Sequence, residues 1–171
     1  ADIANNGIRL VYGGGDVGLM GTTARSVMAA GGRVTGIIPE FLVRKERMLD
    51  GLDELRVVPD MHTRKRMMFE AADAFVTLPG GIGTLEEVVE QLTWAQLGQH
   101  KKPIVLADID GFWQPLVGLI NHMNREAFIR EGFDIRYHVA RSAADILPTV
   151  LAAAGSNGEV VAGDAETIAR R

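Results

Sequence analysis

The chain has 171 residues, 47% hydrophobic and 23% charged, with 18 basic and 22 acidic side chains and a formal net charge of −4. This size and balance read as one folded domain and exclude disorder as the main state. They give no basic footprint for nucleic acid or an anionic membrane, and the absence of cysteine removes disulfide and thiolate chemistry.

Residues 1–7 read as the end of a helix, and the chain starts at Ala1 rather than Met, so the sequence is expected to be incomplete at its amino end. Ile8–Tyr12 is a short β-branched and apolar run that stops at Gly13-Gly14-Gly15, the pattern of a buried strand. A helix is predicted over Leu19–Ala30, with a glycine stop at Gly31-Gly32. Val34–Ile38 is the second strand, closed by Pro39. Residues 41–53 are charged and irregular, with one or two helical turns. Leu55–Val58 is the third strand, Met61–Ala72 a helix and Ala74–Leu78 the fourth strand. Thr84–Leu97 is the clearest amphipathic helix, with Leu85, Val88, Val89, Leu92 and Ala95 at helical spacing. A fifth strand is predicted at Pro103–Ala107. A helix over 112–130 follows, with a break around Gly118, then a short strand near Val139 and a closing helix over Ala143–Ala153. Residues 155–171 are small and polar and are expected to form a flexible tail. Met67, Met68, Phe69 and Phe75 read as core. Trp94 and Trp113 read as core or interface.

Strands alternate with helices, and the strands are continuous apolar runs. The expected fold is therefore α/β, a Rossmann-like doubly wound parallel sheet with helices on both faces, in one domain over residues 1–154. Ligands of such sheets bind beyond the carboxyl ends of the strands, which is where both glycine clusters fall. No run approaches the ~18 apolar residues of a spanning helix, and no basic-then-apolar leader is visible, so the cytoplasm is the expected compartment.

Gly13, Gly15 and Gly18 satisfy G-x-G-x-x-G between a strand and a helix. A dinucleotide site also needs an acidic residue about 20 positions on. The first candidate, Glu40, lies 27 positions after Gly13 and behind a proline. The loop is then a dinucleotide site, a tight turn with close backbone approach, or one wall of a nucleotide pocket lacking the full fingerprint.

The second cluster, Pro79-Gly80-Gly81-Ile82-Gly83-Thr84-Leu85-Glu86-Glu87, leads a strand into the clearest helix. Its backbone N–H groups and the helix dipole favour an anion, and phosphate is the natural guest. No Lys follows, so it is not a P-loop. Glu87 has two readings. Thr84-Leu85-Glu86-Glu87 fits a capping box, and a carboxylate there also suits the sugar next to a bound phosphate. Arg64-Lys65-Arg66 is either a solvated helix face or an anion clamp. The four His residues have no metal-ligand spacing, and no G-x-S-x-G nucleophile is present.

Residues 79–87 resemble the P-G-G-x-G-T-x-x-E motif of the Lonely Guy family, cytokinin riboside 5′-monophosphate phosphoribohydrolases often mislabelled as lysine decarboxylases. Met61-His62-Thr63-Arg64-Lys65 is similar to the family's second motif. Gly13 to Gly21 resemble its glycine loop, and Leu92 to Gly98 the segment after the main motif. The likeness runs from about residue 6 to about residue 153. The resemblance implies a further strand, loop and helix ahead of the position of Ile8, in the stretch where this sequence is expected to be incomplete.

The resemblance implies hydrolysis of the N-glycosidic bond of AMP or an N6-modified AMP, with Arg64 and Glu87 as the catalytic pair. It implies substrate contacts at Lys65 and Thr93, at Glu46, and along Gly80, Gly81, Ile82, Gly83, Thr84, Leu85 and Glu86. Gly14 and Gly15 of the first loop join them. It implies a homodimer or higher oligomer with the site near the subunit interface, and neither metal nor cofactor. No lysine sits in a recognisable pyridoxal phosphate context. The alternative is a non-catalytic carrier of a nucleotide or a molybdopterin-type cofactor on the same fold. Further rivals are a dinucleotide-dependent oxidoreductase using Gly13 to Gly18 and a purely structural oligomerisation domain.

Overall fold

A computed structural model describes residues 1–45 and 47–155. They fall into two compact units, Ala1–Ala72 and Asp73–Arg171, the second described as far as Gly155. The expected tail over 156–171 lies outside the described residues.

The first unit opens with a short helix α1 (Asp2–Asn5) and strand β1 (Leu10–Tyr12). Helix α2 (Gly18–Ala29), strand β2 (Val34–Pro39) and one turn of helix, α3 (Glu40–Val43), follow. Strand β3 (Glu54–Val58) and helix α4 (Met61–Ala71) complete it. The three strands are parallel, in the order β1-β2-β3, with Leu10 opposite Val34 and Thr35 opposite Glu54. All six residues of β2 are buried, as a central strand with covered faces requires. Tyr12, Ala24, Val27, Val34 and Leu49 form the core between α2 and the sheet. The outer strand β3 leaves Leu55 and Val57 exposed. No residue of α4 is fully buried, so Met67, Met68 and Phe69 are half-buried rather than core.

The second unit runs through strand β4 (Phe75–Thr77), helix α5 (Ile82–Gln96) and strand β5 (Ile104–Ala107). A 3₁₀ turn at Ile109–Gly111 precedes helix α6 (Gln114–Arg125), strand β6 (His138–Ala140) and helix α7 (Ala143–Gly155). Its strands are also parallel, in the order β4-β5-β6. Ile104 and Leu106 of β5 pack with Val88 and Leu92 of α5, and with Trp113, Val117 and Ile120. Burying each such aliphatic side chain contributes about 1.5–3 kcal/mol. Val105 and Ala107 point to the opposite face and are equally buried, and α7 packs against β5 and β6.

Two expected boundaries move for visible reasons. The helix predicted over 112–130 begins at Gln114, because the buried Asp108 carboxylate accepts the Trp113 N–H at 2.7 Å and a Gln114 side-chain N–H. It runs unbroken through Gly118 and stops where Ala127 takes a left-handed φ of 59°. Trp113 is core, whereas Trp94 is half-buried. Val89, placed on the apolar stripe of α5 by spacing, is 43% exposed.

Candidate active site

In the first unit, the glycine loop follows the carboxyl end of β1 and α4 follows that of β3, so both lie along one edge of the same sheet. Asp60 caps α4: its Oδ1 accepts the Thr63 N–H at 2.8 Å and its Oδ2 the Thr63 hydroxyl at 3.1 Å. These bonds hold its carboxyl below the usual carboxylate range, the backbone bond first. The cap fixes the first turn of α4, and Arg64 stands one residue beyond Thr63. Arg64 and Lys65 are half-buried while Arg66 is exposed, so the solvated-face reading holds for Arg66 alone.

The Arg64 guanidinium lies against the glycine loop. A Cβ at residue 13 would collide with its Nη2, and Met20 Sδ borders the same space. Met61 Sδ is 3.7 Å from Nη1 on the other side. Gly13 has no left-handed φ, so this space, and not backbone freedom, is what requires glycine there. Gly14 differs: its φ of 82° favours glycine on conformational grounds. The structure thus sets Arg64 against Gly13, next to Gly14 and Gly15; sequence reasoning named Gly13 as part of the glycine loop and not as a neighbour of Arg64. Spacing carried no signal for it, because the contact joins residues 51 positions apart.

Asp16, at the end of the loop, pairs with Arg25 of α2 and with Arg47 Nε at 3.2 Å. Asp16 precedes α2, whose N-cap Val17 makes no side-chain cap hydrogen bond. Tyr12, just before the loop, has its hydroxyl buried without a hydrogen-bond partner. Burial first, and then the Asp16 charge, push its pKa up to about 12. Glu46 lies outside the described residues.

In the second unit, the loop after β4 enters α5. The N-cap is Gly81, with no side-chain cap, and the helix starts at Ile82. Thr84 is therefore at N3 and Glu87 at N6, and the capping-box reading of this pair does not hold. Thr84 instead folds back over the loop, where a Cβ at Gly80 would meet its hydroxyl. Gly81 and Gly83 have no left-handed φ, and among the described residues no atom beyond their chain neighbours and the helix's own backbone comes within 4 Å of where a Cβ would stand. The fold itself does not demand glycine at either position. What glycine does there is leave the backbone N–H groups at the helix start uncovered, an arrangement suited to an anion. Ile82 beside them is 82% exposed.

Glu86 is exposed and Glu87 half-buried, one residue further round the helix. Thr93 is seven residues after Glu86 and shares its exposed stripe. The Thr93 hydroxyl donates to the Val89 carbonyl at 2.8 Å, which leaves its oxygen to accept.

A family model described as "Possible lysine decarboxylase" matches residues 20–150. The chain belongs to this family, the Lonely Guy family that its motifs resemble. A relative from Rhodococcoides fascians is 52% identical over 128 residues, 74% of this chain and 65% of the relative. One from Oryza sativa subsp. japonica is 48% identical over 130 residues, 76% of this chain and 54% of the relative. One from Arabidopsis thaliana is 46% identical over 128 residues, 75% of this chain and 60% of the relative. All three are named cytokinin riboside 5′-monophosphate phosphoribohydrolases, and this chain spans less than two thirds of the length of each.

Among solved structures, the molybdenum cofactor carrier protein of Chlamydomonas reinhardtii matches with a TM-score of 0.63 at 24% identity, over 90% of this chain and 82% of that one. The molybdenum cofactor binding protein of Rippkaea orientalis matches with a TM-score of 0.62 at 22% identity, over 88% and 80%. These likenesses establish the Rossmann-like α/β fold of this family member, as the alternation of strands and helices predicted. Among the described residues, no helix is long and apolar enough to cross a membrane.

Proposed function

We propose that this chain hydrolyses the N-glycosidic bond of AMP, or of an AMP carrying an N6 substituent, to free base and ribose 5-phosphate. The observation that carries this reading is the uncrowded pair Gly81 and Gly83 at the uncapped start of α5, with the half-buried Glu87 in the next turn. Exposed amides at a helix start suit the 5′-phosphate, and a carboxylate one turn on suits the ribose. The names of the relatives support the same chemistry.

In this proposal, Gly80 to Leu85 hold the phosphate, and its binding energy is used at the reacting bond. As the C1′–N bond breaks, positive charge builds on the ribose. Glu87 stabilises that charge and orients the attacking water. Water supplies the hydroxyl to C1′, and the base leaves with a proton from solvent. Arg64 steadies the negative charge on the departing base. A guanidinium is too weak an acid to serve as the proton donor. Lys65, Glu86, Thr93, Gly14, Gly15 and Glu46 are proposed substrate contacts. Residues 1–154 are proposed to act as one nucleotide-binding domain, in a homodimer or higher oligomer, in the cytoplasm.

Incubation with AMP, adenosine and a prenylated AMP tests the reading. Free base is expected from both monophosphates and little from adenosine, which lacks the phosphate anchor. Tight AMP binding without base release would overturn the enzyme in favour of a carrier.

A further inference from the structure

We propose that Asp16 is a positioning residue, clamping the segment at Arg47–Leu49 against the first glycine loop so that the loop keeps Arg64 in place. This rests on the role proposed for Arg64.

Residues 14–16 are held from two directions. On one side, the Asp16 N–H donates to the Arg47 carbonyl at 2.9 Å, and the Leu49 N–H donates to the Gly14 carbonyl at 3.2 Å. Between these two bonds, Gly15 and Met48 form an antiparallel bridge. On the other side, Arg25 of α2 donates to the Asp16 carbonyl at 3.2 Å and to its carboxylate. The Asp16 carbonyl approaches α2 so closely that a Cβ at Gly21 would overlap it. The carboxylate adds a side-chain link between the two sides, its second oxygen pairing with Arg47 Nε at 3.2 Å. Its side chain is 15% exposed, against 51% for Arg25 and 82% for Arg47.

An exposed ion pair contributes little by itself. A carboxylate that pairs with two other segments adds side-chain ties to the backbone bonds at residues 14–16, so losing it loosens the loop without releasing it. The residue immediately before this clamp is Gly13, and the Arg64 guanidinium lies against Gly13. A loop that shifts there moves the surface that holds the guanidinium. The phosphate anchor proposed at Gly80 to Leu85 belongs to other residues, so binding changes only through the contacts proposed at Gly14 and Gly15, and the larger effect falls on turnover.

The test measures kcat and KM for AMP, with thermal unfolding alongside, in the full chain and in Asp16→Ala, Arg47→Ala and Arg47→Lys. Asp16→Ala is expected to lower kcat about tenfold while KM stays within about threefold. Arg47→Ala is expected to lower kcat by about threefold or more, and Arg47→Lys to restore most of that loss. A lowered melting temperature with unchanged kcat, or a change confined to KM, would overturn the role. Should Asp16→Ala fail to fold, the exposed Arg47 decides: unchanged kcat in Arg47→Ala overturns the proposal. An unsubstituted chain that releases no adenine from AMP removes the hydrolase reading and this role with it. Release with an indifferent Asp16 removes only the latter.

Discussion

The guanidinium of Arg64 occupies the space that a side chain on residue 13 would need, so the glycine loop and α4 form one arrangement within the first unit. Gly13→Ala is therefore expected to push the guanidinium out of place. The displaced atoms are the end of a flexible side chain, so the loss of stability is expected to be small. Adenine release should fall by more than that modest destabilisation explains, since at assay temperature the variant stays folded. Near-full turnover in a folded Gly13→Ala protein would show that the position of Arg64 does not matter to the reaction.

With Gly81 as N-cap and Glu87 at N6, the first turn of α5 does not depend on the Glu87 side chain. Neither Glu87→Gln nor Glu87→Ala therefore removes the cap of α5. Both should lose turnover by about 10²–10⁴-fold, the range for a positioned acid–base group. Gln should be nearly as damaging as Ala, because the reaction uses the charge. An active Glu87→Gln protein would refute the assignment.

His100 sets a pH limit on the second unit. The ring is buried, its Nδ1 accepts the Lys102 N–H at 3.1 Å, and its Nε2 faces the Gln91 carbonyl at 3.2 Å. Phe75 packs edge-on to it, with ring centroids 5.7 Å apart. The donor at Lys102 leaves Nδ1 no room for a second proton, and burial pushes the imidazole pKa below its ordinary value. The unfolded chain takes up that proton near pH ~6.5, so the stability held by neutral His100 is complete above that pH and declines below it. Melting temperatures at pH 7.5 and pH 5 should show a steeper acid loss in the unsubstituted chain than in His100→Gln. Equal slopes would place the acid sensitivity elsewhere.

Local order in this chain follows from patterns a few residues long. Val34–Ile38, apart from Thr35, and Ile104–Ala107 are apolar because they lie in the middle of parallel sheets, and with the alternation of strands and helices that marks the α/β class. The run from Leu85 to Leu92 marks α5 for the same kind of reason. Its start is misplaced by two residues because Thr84-Leu85-Glu86-Glu87 has the form of a capping box, and the glycine ahead of it caps the helix instead.

The family could be recognised from motifs, which are also local strings. Which glycines face a packed atom and which face open space could not. Gly13 gives way to a guanidinium from 51 residues further on, Gly21 to the Asp16 carbonyl, and Gly81 and Gly83 to nothing in the fold. Likewise, Asp16 finds Arg47 only because the chain returns along the loop at Gly15 and Met48. Short-range periodicity records which face of an element is buried, whereas vacant or occupied space around a single atom depends on segments that meet only after the chain has folded.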